Sequence, residues 1–152
     1  MAKIRISVPA ANFETTATLL EDEAPATVRG VLDALPVEGS LLHATSSGNE
    51  TLIELQGRSK VKLEPENWVY NFDPGDVLYW YSLWGDGKYL RGVRDNAEIV
   101  FIYGRNAKLR DVALRDSPAN LFATMDGRIK EFADVCRGLR TGGPSKITVE
   151  RI

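Results

Sequence analysis

The chain has 152 residues, 43% of them hydrophobic and 26% charged, which is the usage of one globular domain and excludes disorder, fibres and collagen-like repeats. Nineteen Lys and Arg against 21 Asp and Glu leave a formal charge of −2, so the chain carries no basic footprint for nucleic acid. No apolar run reaches the roughly 18–20 residues that cross a bilayer, the opening MAKIRISVPAANFETT lacks the apolar stretch of a signal peptide, and Cys136 and His43 are the only residues of their types; we expect a cytoplasmic protein with no disulfide, no metal site and no membrane partner.

From Lys3 to Val8, Ile4, Ile6 and Val8 alternate with Lys3, Arg5 and Ser7, which predicts a half-buried strand. Phe13 to Leu20 is a second strand, rich in Thr, with Phe13, Ala17 and Leu19 on one parity. Glu21, Asp22, Glu23 and Pro25 then mark the start of a helix, because acidic residues complement its positive end and proline at the first position has no N–H to lose. Val28, Val31, Leu32 and Leu35 form its apolar stripe and Pro36 stops it. Gly30 inside that helix costs about 1 kcal/mol relative to Ala, unless close packing requires it.

Leu41–Thr45 and Thr51–Leu55 read as a hairpin across Ser46, Ser47, Gly48 and Asn49. Gln56–Ser59 is a turn, Lys60–Leu63 a short strand, and residues 64–76 are broken by Pro65, Pro74 and Gly75. Val77–Leu83 and Glu98–Tyr103 are apolar on both parities, so each is expected to be covered on both sides. Trp84, Gly85, Asp86 and Gly87 turn the chain, and residues 105–119 read as a polar loop. Met125–Leu139 carries a helical period through Ile129, Phe132, Ala133, Cys136 and Leu139, closed by Gly142, Gly143 and Pro144. Ser145–Ile152 is a last strand. About eight strands and two helices predict one domain over residues 1–152, mainly β, built as a closed antiparallel barrel with the terminal strands paired and a helix at each end.

A run of motifs carries a resemblance. Ala24-Pro25-Ala26-Thr27 with Leu35-Pro36, His43 with Ser47-Gly48, and Glu66-Asn67 are followed by Pro74-Gly75-Asp76 with Leu78-Tyr79, Glu98-Ile99 with Tyr103-Gly104, and Asn120 with Phe122-Ala123-Thr124-Met125. In this order the chain resembles bacterial cyclophilin-like proteins of unknown function, which implies a cyclophilin-like barrel. It departs from the pattern at Ser46, where the family has Trp, at the added Asn49, and in the longer stretch between Leu83 and Glu98. True cyclophilins carry Phe-His-Arg where Leu42-His43-Ala44 stands here. Ala44 supplies no side-chain donor to a twisting amide whose barrier is about 18–20 kcal/mol, so prolyl isomerase activity is not expected.

If the barrel holds a pocket for a small molecule or short peptide, the resemblance and the residue types point to His43, Glu66, Asn67, Tyr79, Glu98, Tyr103 and Asn120 as its lining. His43 would serve as acid, base or anchor, unless it is simply a strand histidine bonded to backbone. Glu98 would be costly if it faces inward without a partner; Glu50 and Glu54 are weaker candidates. Glu64, Glu66, Asp73 and Asp76 lack the ligand spacing of a calcium loop, no cofactor motif is present, and Cys136 on an apolar helix face reads as an inert thiol. The other reading of the chain is an interaction module: Trp80, Trp84 and Tyr89 would form a homo-oligomer interface. A degenerate prolyl isomerase is the third.

Overall fold

A computed structural model describes residues 1–82, 95–111 and 114–152. Among these the elements run β1 (Lys3–Val8), β2 (Phe13–Leu19), α1 (Pro25–Ala34), β3 (Val37–His43), β4 (Glu50–Glu54), β5 (Trp68–Val69), β6 (Asp76–Tyr81), β7 (Ala97–Ile102), β8 (Ala119–Met125), α2 (Ile129–Gly142) and β9 (Ser145–Arg151). The strands neighbour one another in the order β2-β1-β9-β3-β4-β7-β6-β8, and β8 pairs back onto β2. Eight antiparallel strands therefore close a barrel, with β5 outside it on β8. The terminal strands do pair, Ile4 opposite Arg151 and Ser7 opposite Thr148, so closure leaves β1 and β9 no free edge.

Alternation along each strand sends one parity into the lumen. Ile4, Ile6 and Val8, Tyr79 and Phe101, and Ile147 and Val149 meet there in one apolar cluster. The helices bury their stripes against it through Val28 and Val31 of α1 and Phe132, Ala133, Cys136 and Leu139 of α2. Phe132 lies between Phe13 and Phe101, with ring centroids 5.4 and 5.8 Å away. β6 and β7 are buried on their outer face too, where Leu78, Trp80, Val100 and Ile102 pack beneath Ala107, Leu109 and Ala119. A Cβ on Gly30 would stand 2.9 Å from Leu63 Cδ2, so an alanine in α1 would have to displace the end of the Leu63 side chain.

Several expectations are corrected. Lys60–Leu63 is not a strand. Its backbone is satisfied by a side chain instead: the Val61 N–H donates to the Tyr79 hydroxyl at 2.9 Å, and that hydroxyl donates to the Val61 carbonyl. β3 begins four residues earlier than read, because Val37–Leu41 pairs with β9 and only Leu42 and His43 pair with β4. The eighth barrel strand is β8, which takes in Ala119 from the expected loop, Met125 from the expected helix, and residues 120–124, for which no element is expected. Met125 pairs with Ala17, and α2 starts only after Arg128, which takes a φ of 58°. The predicted turn at Trp84–Gly87, together with Leu83, Trp84 and Tyr89, lies outside the described residues.

Candidate functional site

At one end of the barrel β4 runs between β3 and β7, with His43 opposite Thr51 and Thr51 opposite Phe101. This register brings the last residue of β3 and the first after β7 to the same rim, and the last turn of α2 lies over it. His43, Tyr103 and Arg140 meet there. His43 Nδ1 is 2.7 Å from the Ala44 carbonyl. A carbonyl only accepts, so Nδ1 carries the proton in this contact and Nε2 of the neutral ring presents a lone pair. Two donors lie within reach of it: the Tyr103 hydroxyl at 2.5 Å and Arg140 Nε at 3.1 Å. Arg140 Nη2 also donates to the Tyr103 oxygen at 3.1 Å and reaches Asn49 Oδ1 at 3.5 Å. Asn49 in turn donates to the Arg105 carbonyl at 2.9 Å, which ties the hairpin to the segment after β7. The Arg137 guanidinium sits 5.8 Å from the Tyr103 ring centroid.

Beside this cluster opens a cleft of about 460 Å³, lined by Leu42, His43, Ala44, Thr45, Gly48, Leu139, Arg140 and Pro144. Most of the lining is apolar or small, with one fixed cation and one imidazole. Its walls are thus chiefly apolar, with a few polar groups at the rim.

Glu66, Asn67, Asn120 and Tyr79 gather elsewhere, under the strap that leads from β4 to β5. The Glu66 carboxylate accepts from the Ala26 and Thr27 N–H groups at 3.2 and 2.8 Å and from the Thr27 hydroxyl at 2.8 Å. It caps α1, whose own Ala24 has no capping side chain. Burial raises the Glu66 pKa, but those three hydrogen bonds and Arg29 outweigh it and hold the carboxyl below its usual range. Asn120, fully buried, accepts from the Glu66 N–H and donates to the Thr27 hydroxyl and the Glu64 carbonyl, each at 3.0 Å. Asn67 donates to the Leu121 carbonyl at 2.8 Å. Burial pushes the Tyr79 phenol up to about 12, so it stays a donor to Val61. These four side chains hold the strap to the barrel through hydrogen bonds to protein. Asn120→Ala leaves the Glu66 N–H and the Glu64 carbonyl unpaired; we expect it to cost about 3 kcal/mol, seen as a lower urea midpoint at unchanged m-value.

Glu98 stands apart from both groups. It lies half-buried on the outer wall, opposite Trp80 of β6 and Glu54 of β4. Burial first, and then the Glu54 charge, push it up to about 7. Glu50, on the same face, is 1% exposed, and its Oε1 has no hydrogen-bond partner among the described residues. Burial raises it to about 8, helped by the Glu98 charge and opposed by a hydrogen bond from Ser47. The Cys136 thiol, 3.4 Å from the Thr51 hydroxyl, is pushed up to about 12 by burial.

The seven residues singled out from the sequence thus fall in three places: His43 with Tyr103 at the cleft, Glu66, Asn67, Tyr79 and Asn120 beneath the strap, and Glu98 on the outer wall. Trp80 is 8% exposed and donates its indole N–H to Ser117 Oγ at 2.9 Å. The expected pocket lining includes neither Arg140 nor Asn49. An arginine in a last helical turn ordinarily complements the helix dipole, and Asn49 stood out only as an addition to a motif.

Residues 6–150 match the family model DUF3830, a protein family of unknown function, and the chain belongs to that family. No curated protein matches it significantly. Among solved structures it is similar to McbB in complex with tryptophan, with a TM-score of 0.71, 17% identity and 97% of this chain covered. The chain spans 44% of McbB's length. It is also similar to the hypothetical protein AF2241 from Archaeoglobus fulgidus, known from a solution structure, with a TM-score of 0.58, 23% identity, and 99% and 95% of the two chains covered. These likenesses show a shared fold. Among the described residues no helix is long and apolar enough to cross a membrane.

Proposed function

We propose that the protein binds a small molecule or short peptide in the cleft between the β3–β4 hairpin and the end of α2. The observation that carries this reading is convergence. His43, Tyr103 and Arg140 come from three separate elements and bond to one another at the rim of an otherwise largely apolar concavity. McbB, similar in fold over 44% of its length, is found in complex with a small aromatic molecule, tryptophan, which supports a small-molecule reading. The single, buried cysteine supports a cytoplasmic setting.

The test is a thermal-shift screen of the full chain against a metabolite library, repeated on Thr45→Trp, which fills the cleft. A ligand at a hundredfold excess over its Kd adds about 2.7 kcal/mol of apparent stability. We expect hits with the native chain that disappear in Thr45→Trp. Hits that survive the substitution place binding elsewhere. A flat screen puts the interaction-module reading first, which the exposed Trp68 and Tyr70 favour, at 40% and 54% exposure. The cyclophilin kinship gains no support from McbB or AF2241, and the isomerase reading gains none from Ala44, whose side chain donates nothing to a twisting amide.

A further inference from the structure

The geometry points to Arg140 as the seat of a carboxylate, so that the cleft takes organic acids with one negative charge and an apolar body. This rests on the reading of the cleft as a ligand site and narrows it to a class of ligand.

The argument starts from what surrounds the guanidinium. Its acceptors are His43 Nε2, Tyr103 Oη and Asn49 Oδ1. All three are neutral groups, and none lies on α2. Among the described residues Arg140 meets no carboxylate, whereas its neighbour Arg137 lies 3.4 Å from Asp134. Complementing the helix dipole needs none of these contacts. Together they orient an exposed cation that has no carboxylate partner among the described residues, at the edge of the cleft it lines. Only Nε and Nη2 are engaged, which leaves both N–H groups of Nη1 without a partner among the described residues. The weakest contact, to Asn49 at 3.5 Å, is the one a stronger acceptor replaces. A guanidinium held in this way matches the two oxygens of a carboxylate.

The charge and the walls set the class. One unpaired guanidinium balances one negative charge, not the two of a phosphate monoester. Leu42, Ala44, Leu139 and Pro144 line the rest of the cleft, and these suit a hydrocarbon or aromatic body. Binding also relieves a conflict. The Tyr103 hydroxyl and Arg140 Nε both address the one lone pair of His43 Nε2. An anion that draws the guanidinium toward itself leaves that lone pair to Tyr103.

The test titrates the full chain with N-acetyltryptophan and with N-acetyltryptophanamide, which differ in the charge at one end. Ionic strength is held constant, and the Arg Nε–H and His43 ring nitrogens are followed by NMR; Arg140→Gln assigns the arginine signal. We expect the acid to bind at least tenfold more tightly than the amide and to shift both Arg140 and His43. Arg140→Gln should abolish that preference. Equal affinity for acid and amide, with shifts at Leu139 and the hairpin, overturns the carboxylate seat and leaves the cleft reading standing. A preference for the acid that survives Arg140→Gln overturns the assignment to Arg140. If neither probe perturbs any cleft residue up to the solubility limit, the seat and the cleft reading both fail.

Discussion

At pH 9 the Glu50→Gln variant is expected to be more stable than the native chain by on the order of 4 kcal/mol, and at pH 4 the two should be nearly equal. Glu50 is 1% exposed with one oxygen unpartnered, and its pKa rises from 4.5 to about 8, first because burial penalises the charge and then because Glu98 is near. Each pKa unit corresponds to about 1.36 kcal/mol. The sign follows from proton counting. Between pH 4.5 and 8 the folded chain holds the Glu50 proton while the unfolded chain has released it, so stability falls as pH rises across that window. Below it the carboxyl is neutral in both states and costs nothing. Above it the folded state must bury a carboxylate. Gln keeps an acceptor for Ser47 and never ionises, so it removes the decline. Urea denaturation of both chains from pH 4 to pH 9 measures the gap. Two parallel stability curves would show that Glu50 ionises freely where it sits. Glu98, raised to about 7, should add a smaller decline over the lower part of the same window, and the two carboxyls titrate as a pair rather than singly.

Phe132→Ala should cost about 3–5 kcal/mol, the range for removing a fully buried aromatic from a core. Phe132 has no exposed surface and packs against Phe13 of β2 and Phe101 of β7, strands separated in the barrel by β8 and β6. It is therefore the side chain through which α2 plugs the barrel. The substitution tests more than packing, because α2 carries Arg140. A helix that loses its plug no longer holds the guanidinium to His43 and Tyr103, so hydrogen exchange in α2 and at the β3–β4 hairpin should rise together. Denaturant unfolding gives the stability term. A loss below about 1 kcal/mol would mean that α2 is held chiefly by its other contacts.

Most of the barrel was legible in the residues. Ile4, Ile6 and Val8 alternate because one face of β1 is buried, and the double parity of Val77–Tyr81 and Ile99–Ile102 reports the second apolar layer over β6 and β7. The stripe of α1 follows from the same periodicity, the stop of α2 from Gly142 and Gly143, and the pairing of the terminal strands from there being a strand at each end of the chain. Periodicity records which side of an element meets water, and that is a local property of the chain. It failed where a segment's partners lie far off in sequence. Lys60–Leu63 alternates like a strand, yet the Tyr79 hydroxyl meets its backbone. Residues 119–125 belong to a strand because β2 and β6 lie on either side of them. Tertiary structure alone decided the grouping of the candidate residues. Glu66 turned into the cap of a helix about 40 residues earlier, while His43 and Tyr103 found Arg140. Nothing in the spacing of 43, 103 and 140 foretells that meeting, because it follows from the register of β3, β4 and β7 and from the tilt at which Phe132 seats α2. Ring closure sets those non-local quantities, and they leave no period in the chain.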